Sequence, residues 1–168
     1  MYKKIIIFLA IISLFVGCSI SYKLNGASID YSRIKTISII DFPNQATLVY
    51  PPLSQKFTEG LKDYFTRQTK LRLLTRDGDL NLEGEIVGYD LTPMATQADG
   101  YASETKLEVT INVRFTNNVT PEENFEERFS AFRTFKSTYM LNDVQDALIA
   151  EITKEISDVI FNKTVANW

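Results

Sequence analysis

The sequence predicts an α+β fold, a two-layer sandwich with two amphipathic helices packed on one face of a four- or five-stranded mixed sheet. Three observations carry this. Residues Leu107, Val109, Ile111, Val113 and Phe115 alternate with Lys106, Glu108, Thr110, Asn112 and Arg114, a period of two that buries one face of a strand and wets the other. Two segments show helical spacing with one apolar stripe each. The order of elements is strand, helix, several strands, helix, so the first crossover demands a parallel pairing while the later strands form an antiparallel meander. One sheet face then serves both helical stripes.

Residues 36–42 form the first strand, ended by Pro43-Asn44. Pro51-Pro52 opens a helix running to about Thr69, because proline's missing N–H is unpaired in the first turn anyway. Leu53, Phe57, Leu61, Tyr64 and Phe65 make its apolar stripe. A short strand follows over residues 71–76, then the turn Asp77-Gly78-Asp79, then a strand over residues 80–91 in which Gly84 and Gly88 suggest a bulge or sharp twist. After the alternating strand, Asn117-Asn118 and Pro121 punctuate a hairpin. Phe125, Phe129, Phe132 and Phe135 belong to the partner strand, and their change of parity suggests a second bulge. Asn142 with Gln145 three residues on has the pattern of a capping box. Val144, Leu148, Ile149, Ile152, Ile156, Val159 and Ile160 form the last stripe.

The N-terminus is a different kind of segment. Lys3 and Lys4 precede an apolar run from Ile5 to Val16, and Gly17 then precedes Cys18, the single cysteine of the 168 residues. About 12 apolar residues reach about 18 Å as a helix, short of the roughly 30 Å hydrocarbon core. The segment resembles the bacterial lipoprotein signal, in which a small residue precedes the cysteine that is acylated. The resemblance implies removal of residues 1–17, acylation of Cys18, a lipidated tether over 18–28 and one α+β domain over 29–168, with the body in water and several acyl chains in a membrane. Ser19-Ile20-Ser21-Tyr22-Lys23 places no aspartate beside the cysteine and no acid before Asp30. Both absences favour the periplasmic leaflet of an outer membrane.

Loss of Lys3 and Lys4 leaves 16 basic against 21 acidic residues, a net charge of −5. That balance argues against nucleic acid and against adhesion to anionic lipid head groups. The chain has no histidine. With Cys18 acylated, cysteine–histidine and serine–histidine catalysis is excluded and the commonest zinc ligands are missing. Asp77, Asp79 and Asn81 occupy the first, third and fifth positions of a calcium loop, but Leu82 and Gly88 stand where glycine and a bidentate glutamate are needed. The expectation is no metal and no cofactor. Glu83 and Glu85 share a strand face, which reads as a wet face before it reads as an acid–base pair.

Two groups remain as contact candidates. Lys106, Arg114, Arg128, Arg133 and Lys136 lie on the last two long strands, either as a gathered basic patch or as exposed charge interleaved with Glu108, Glu126 and Glu127. Tyr89, Met94 and Tyr101 sit in and after one strand beside a loop from Thr92 to Ser103, either a binding element or a loop folded over the core edge.

The run from Leu82 to Ala95, LEGEIVGYDLTPMA, and the ending TVANW over residues 164–168 resemble the LPS-assembly lipoprotein family LptE, in particular its Bacteroidota branch. The likeness extends over essentially the whole mature chain, and its motifs are structural. It implies a non-catalytic outer-membrane lipoprotein that plugs an LptD-like β-barrel, helps it assemble and hands lipopolysaccharide to the outer leaflet. Tyr89, Met94 and Tyr101 then become candidate barrel contacts, and the five bases become candidate lipopolysaccharide contacts. Two other readings stay open: a periplasmic lipoprotein that activates a cell-wall enzyme, and a carboxylate-dependent enzyme using Glu83 and Glu85.

Overall fold

The computed structural model describes residues 29–94 and 104–165. Five strands form one mixed sheet: β1 (Thr36–Ile39), β2 (Arg72–Leu74), β3 (Leu80–Pro93), β4 (Glu104–Asn117) and β5 (Phe125–Lys136). Their spatial order is β2-β1-β3-β4-β5. β1 pairs parallel with β2 and with β3, while β3–β4 and β4–β5 are antiparallel. Helices α1 (Pro52–Gln68) and α2 (Leu141–Val165) cover one face. The α+β two-layer sandwich expected from the sequence is the observed fold.

The core lies between that face and the helices. Leu53, Phe57, Leu61 and Phe65 of α1 and Ile149, Ile152, Ile156 and Ile160 of α2 are buried against Leu82, Ile86, Val109, Ile111 and Val113. Thr153, Ser157 and Thr164 are also buried on α2, and each hydroxyl donates to the carbonyl four residues back, at 2.7, 2.8 and 2.8 Å. Self-satisfied hydroxyls of this kind enter an apolar interface without an unpaired polar atom.

β1 ends at Ile39, three residues sooner than the sequence suggests, because Phe42 leaves the sheet for the core. Its ring meets Phe57 edge-on at 5.1 Å. α1 replaces the lost ladder bonds: Thr58 Oγ1 accepts from the Phe42 amide at 3.1 Å and Ser54 Oγ donates to its carbonyl at 2.6 Å. Gly84 makes room, since a Cβ there would stand 2.8 Å from the Phe42 ring and 2.0 Å from the Asn112 carbonyl oxygen.

The bulge expected in β3 lies between Ile86 and Gly88. It changes the parity of the strand. Before it Leu82, Gly84 and Ile86 face the helices; after it Tyr89 and Leu91 do. The second expected bulge, in β5, is absent. β4 and β5 pair without interruption from Phe115–Phe125 to Glu104–Lys136. Phe125, Phe129 and Phe135 face the helices with Ala131, whereas Phe132 alone sits on the opposite face, 50% exposed. The aromatic run misled because a phenylalanine need not be buried.

Two expectations for α2 also change. The helix begins at Leu141, so Asn142 lies inside it, and the Gln145 amide donates to the Tyr89 hydroxyl at 2.6 Å rather than closing a capping box. Val159 is 46% exposed, outside the buried stripe.

Candidate interaction surfaces

Among the described residues one face of the sheet carries no helix, and the two ends of the sheet are unlike. At one end the chain enters through Ile29–Ile34, beside the β4–β5 hairpin and the last turn of α2. There Ile29, Ile34, Asn117, Val119, Thr164 and Val165 line a cavity of about 130 Å³, and Arg33 donates to the Val119 carbonyl at 3.1 Å. The Asp77–Asp79 turn sits at the same end. Asp79 accepts from the amides of Lys35 and Thr36 at 2.8 and 2.9 Å and from the Thr36 hydroxyl at 2.9 Å. Asn81 accepts from the Ser38 hydroxyl at 2.5 Å and from the Gly78 amide at 3.1 Å. Two members of the calcium-like spacing, Asp79 and Asn81, thus spend Oδ2 and Oδ1 on backbone and hydroxyl donors that shape a turn.

The other end carries exposed apolar side chains from three segments. Leu48 and Val49 precede α1, Met94 follows β3, and Tyr139 and Met140 precede α2, with exposures of 50, 61, 40, 55 and 76%. Tyr50 and Tyr89 join these segments from beneath, stacked at 6.4 Å between ring centres. The Tyr50 hydroxyl donates to Asp146, whose carboxylate also takes Lys56 Nζ at 2.9 Å. The 14 residues of β3 at about 3.3 Å each set the two ends about 45 Å apart.

Among the aromatic candidates, Met94 therefore belongs to the apolar end. Tyr89 does not offer a surface: it is 4% exposed, packed between Tyr50 and Gln145, and burial pushes its phenol above the ordinary range. The bulge turned it inward, which the sequence position alone did not reveal. Tyr101 lies outside the described residues. The contributors that sequence reasoning missed are Leu48, Val49, Tyr139 and Met140. Their signal was apolar type in short segments without periodicity.

The uncovered face is mostly polar, and its Glu83, Glu85, Lys106, Asn112 and Arg114 side chains are paired with one another or with neighbours. Arg114 reaches Glu83 at 3.3 Å and Glu85 at 3.0 Å, and Asn112 donates to Glu85 at 2.7 Å and to Glu126 at 2.8 Å. The Asn112 amide, seconded by Arg114, holds the Glu85 carboxyl below the usual carboxylate range. Glu83 and Glu85 are thus engaged acceptors of one guanidinium. Lys106 pairs with Glu108 at 2.9 Å and lies 5.5 Å from the centre of the Phe132 ring. Arg128 and Lys136 share this face and have no ion-pair partner among the described residues. Arg133 is not on this face. It points to the helix side and binds Glu151 at 2.8 Å and Glu155 at 2.7 Å. The five bases do not gather into one patch, because register puts an acid or amide beside most of them.

A small two-layer α+β domain, uncovered on one sheet face and apolar at one end, is the class that these observations define. The chain belongs to the LptE family, described as lipopolysaccharide-assembly, whose profile matches residues 34–164. No curated protein matches the chain. Solved structures show the same fold at low identity. An uncharacterized lipoprotein B from Nitrosomonas europaea is 13% identical, with a TM-score of 0.54 over 88% of this chain and 92% of that one. A hypothetical protein from Chlamydia trachomatis is 12% identical, with a TM-score of 0.53 over 79% of this chain and 99% of that one. The rare lipoprotein B from Shewanella oneidensis is 11% identical, with a TM-score of 0.50 over 74% and 91%.

Proposed function

We propose that this protein is a lipopolysaccharide-assembly lipoprotein held on the periplasmic leaflet of the outer membrane by acyl chains on Cys18. In this reading it is the plug and assembly subunit of an LptD-type β-barrel and helps deliver lipopolysaccharide to the outer leaflet. The observation that carries the reading is membership of the LptE family over residues 34–164. The work it ascribes to the protein is contact rather than catalysis.

The geometry supports a definite polarity. The tether enters at the Ile29–Ile34 end, so that end faces the anchoring leaflet. The apolar end stands about 45 Å of strand away, a reach comparable to the roughly 40–45 Å of a bilayer with its head groups. Met94, Leu48, Val49, Tyr139 and Met140 meet the barrel wall there, as apolar and aromatic side chains do at the centre of interfaces. Tyr89 supports that surface from within. Of the five candidate bases, Arg128 and Lys136 are the ones left for contact with lipopolysaccharide phosphates, since Lys106, Arg114 and Arg133 are occupied by carboxylates.

Affinity purification of the full-length protein from detergent-solubilised envelope tests the reading. It should bring down a large, heat-modifiable barrel in stable stoichiometric amount. Recovery of a cell-wall synthase in place of a barrel would overturn it.

A further inference from the structure

The chain is acidic as a whole, yet its bases are unevenly placed. Among the described residues eight Lys and Arg side chains take part in no ion pair. Five of the eight, Arg33, Lys35, Lys70, Arg72 and Arg76, come from two short stretches of sequence. The parallel pairing of β1 with β2 brings those stretches together. Thr36 stands beside Arg72, and the Arg72 amide donates to the Lys35 carbonyl at 2.9 Å. The Lys70 amide donates to the Tyr31 hydroxyl at 3.4 Å. Arg76 opens the crossover that returns to Asp79, whose carboxylate accepts from the Lys35 and Thr36 amides. All five residues are exposed. The acids of this corner are Asp30, Asp77 and Asp79. Asp30 accepts from the Ser32 hydroxyl at 2.6 Å, and Asp79 is spent on β1.

The same end has an acidic corner. Glu122 and Glu123 lie in the turn between β4 and β5, where Glu123 accepts from the Asn117 side-chain amide at 2.7 Å. Four strand spacings of about 4.8 Å put β2 about 19 Å from β5. Exposed charges are screened over about 8 Å at physiological ionic strength. A charged surface meeting this end therefore feels the two corners separately, although their charges offset one another over the end as a whole.

The position of the corner selects its partner. The chain enters at Ile29, and the one charged residue between Cys18 and Ile29 is Lys23. With Cys18 acylated, this short connection holds the corner close to the head groups of the anchoring leaflet. Bases beside a membrane anchor are drawn to anionic head groups, with an attraction that fades within a screening length. The net charge that argues against adhesion of the whole body does not oppose adhesion by one corner.

We propose that the β1–β2 corner docks through Arg33, Lys35, Lys70, Arg72 and Arg76 on anionic phospholipid head groups of the leaflet that holds the acyl chains. Glu122 and Glu123 keep the β4–β5 corner off that surface, so the domain stands tilted with its β2 edge down. The proposal rests on the acylation of Cys18 and the polarity read above, and adds to them the partner of this end and the orientation it imposes.

Full-length acylated protein in vesicles tests it. Because Cys18 carries the acyl chains, one introduced cysteine can take a donor dye. Gln68→Cys, two residues before Lys70, reports the basic corner, and Pro121→Cys reports the acidic one; both positions are exposed. Energy transfer to acceptor-labelled head groups is read in vesicles of phosphatidylcholine alone and of phosphatidylcholine with an equal share of phosphatidylglycerol. In the anionic vesicles transfer from Gln68→Cys should exceed that from Pro121→Cys several-fold. The excess should disappear in pure phosphatidylcholine, in high salt and in a Lys70→Glu, Arg72→Glu double variant. Circular dichroism checks the fold of that variant; if it unfolds, lipid composition and salt decide. Flotation with the vesicles reports the anchor separately. Protein that floats yet shows equal transfer from the two positions, or transfer indifferent to lipid charge, would overturn the proposal and leave the anchoring intact. Protein that floats with neither vesicle would lose the anchor and the proposal with it. Loss of the excess in inorganic phosphate but not in chloride of the same ionic strength would assign the corner to a small anion and overturn the docking.

Discussion

Asp79 shows how much one side chain arranges at the end that carries Ile29–Ile34. Its carboxylate accepts three hydrogen bonds from the start of β1, and its own amide donates to the Thr36 hydroxyl at 2.9 Å. The Lys35 amide, followed by the Thr36 hydroxyl, holds the carboxyl below the usual carboxylate range. A lowered folded value means that the stabilisation is complete above the unfolded value, near pH 4, and is lost as pH falls through the folded one. Asp79→Ala should therefore cost about 1–3 kcal/mol at neutral pH, since it strands two amides, and the cost should shrink in acid. Urea denaturation of both proteins at neutral and acidic pH reads this directly. The sequence marked Asp77-Gly78-Asp79 as a turn, but not that the second aspartate reaches 43 residues back along the chain. Gly84 is a similar case. The sequence marked it as a bulge signal, whereas its role is the close approach of Phe42 and Asn112. Gly84→Ala should destabilise more than Gly60→Ala, where a Cβ meets nothing within 4 Å. Thermal melts of the two variants check the order.

At the scale of the element, β4 was the most legible part of the chain, because its alternation is unbroken and every odd residue from Leu107 to Phe115 is buried. Ile111→Ala should cost about 2–5 kcal/mol, as large-to-small core changes do. Thr110→Ala, on the half-buried uncovered face, should cost under about 1 kcal/mol. Equal losses in chemical denaturation would contradict the assigned faces. β3 and β5 were harder to read, for opposite reasons. In β3 a one-residue bulge reverses parity, so Tyr89 passes from an apparent surface to the core. In β5 no bulge exists, and Phe132 is simply an aromatic on the wet face. Deleting Val87 should remove the bulge and restore strict alternation with Tyr89 and Leu91 still facing the helices, opposite Val109 and Leu107. The Tyr89–Gln145 bond should survive, measurable as a near-ultraviolet circular dichroism spectrum close to that of the unaltered protein.

For the whole molecule, the architecture followed from the order of strand, helix, meander and helix. The interaction surfaces did not follow as readily. The apolar end is built from Leu48, Val49, Met94, Tyr139 and Met140, which are up to 92 positions apart and meet only in the fold. The basic residues were visible in the sequence, but their pairing with Glu83, Glu85, Glu108, Glu151 and Glu155 depends on register and on where α2 lies. The central claim is that the protein serves an outer-membrane barrel in lipopolysaccharide delivery. Depleting it from growing cells and measuring lipopolysaccharide exposed at the cell surface tests that claim most directly. Surface lipopolysaccharide should fall, together with the folded fraction of the barrel, and wild-type protein should restore both. Unchanged surface lipopolysaccharide and normal barrel folding after depletion would contradict the account.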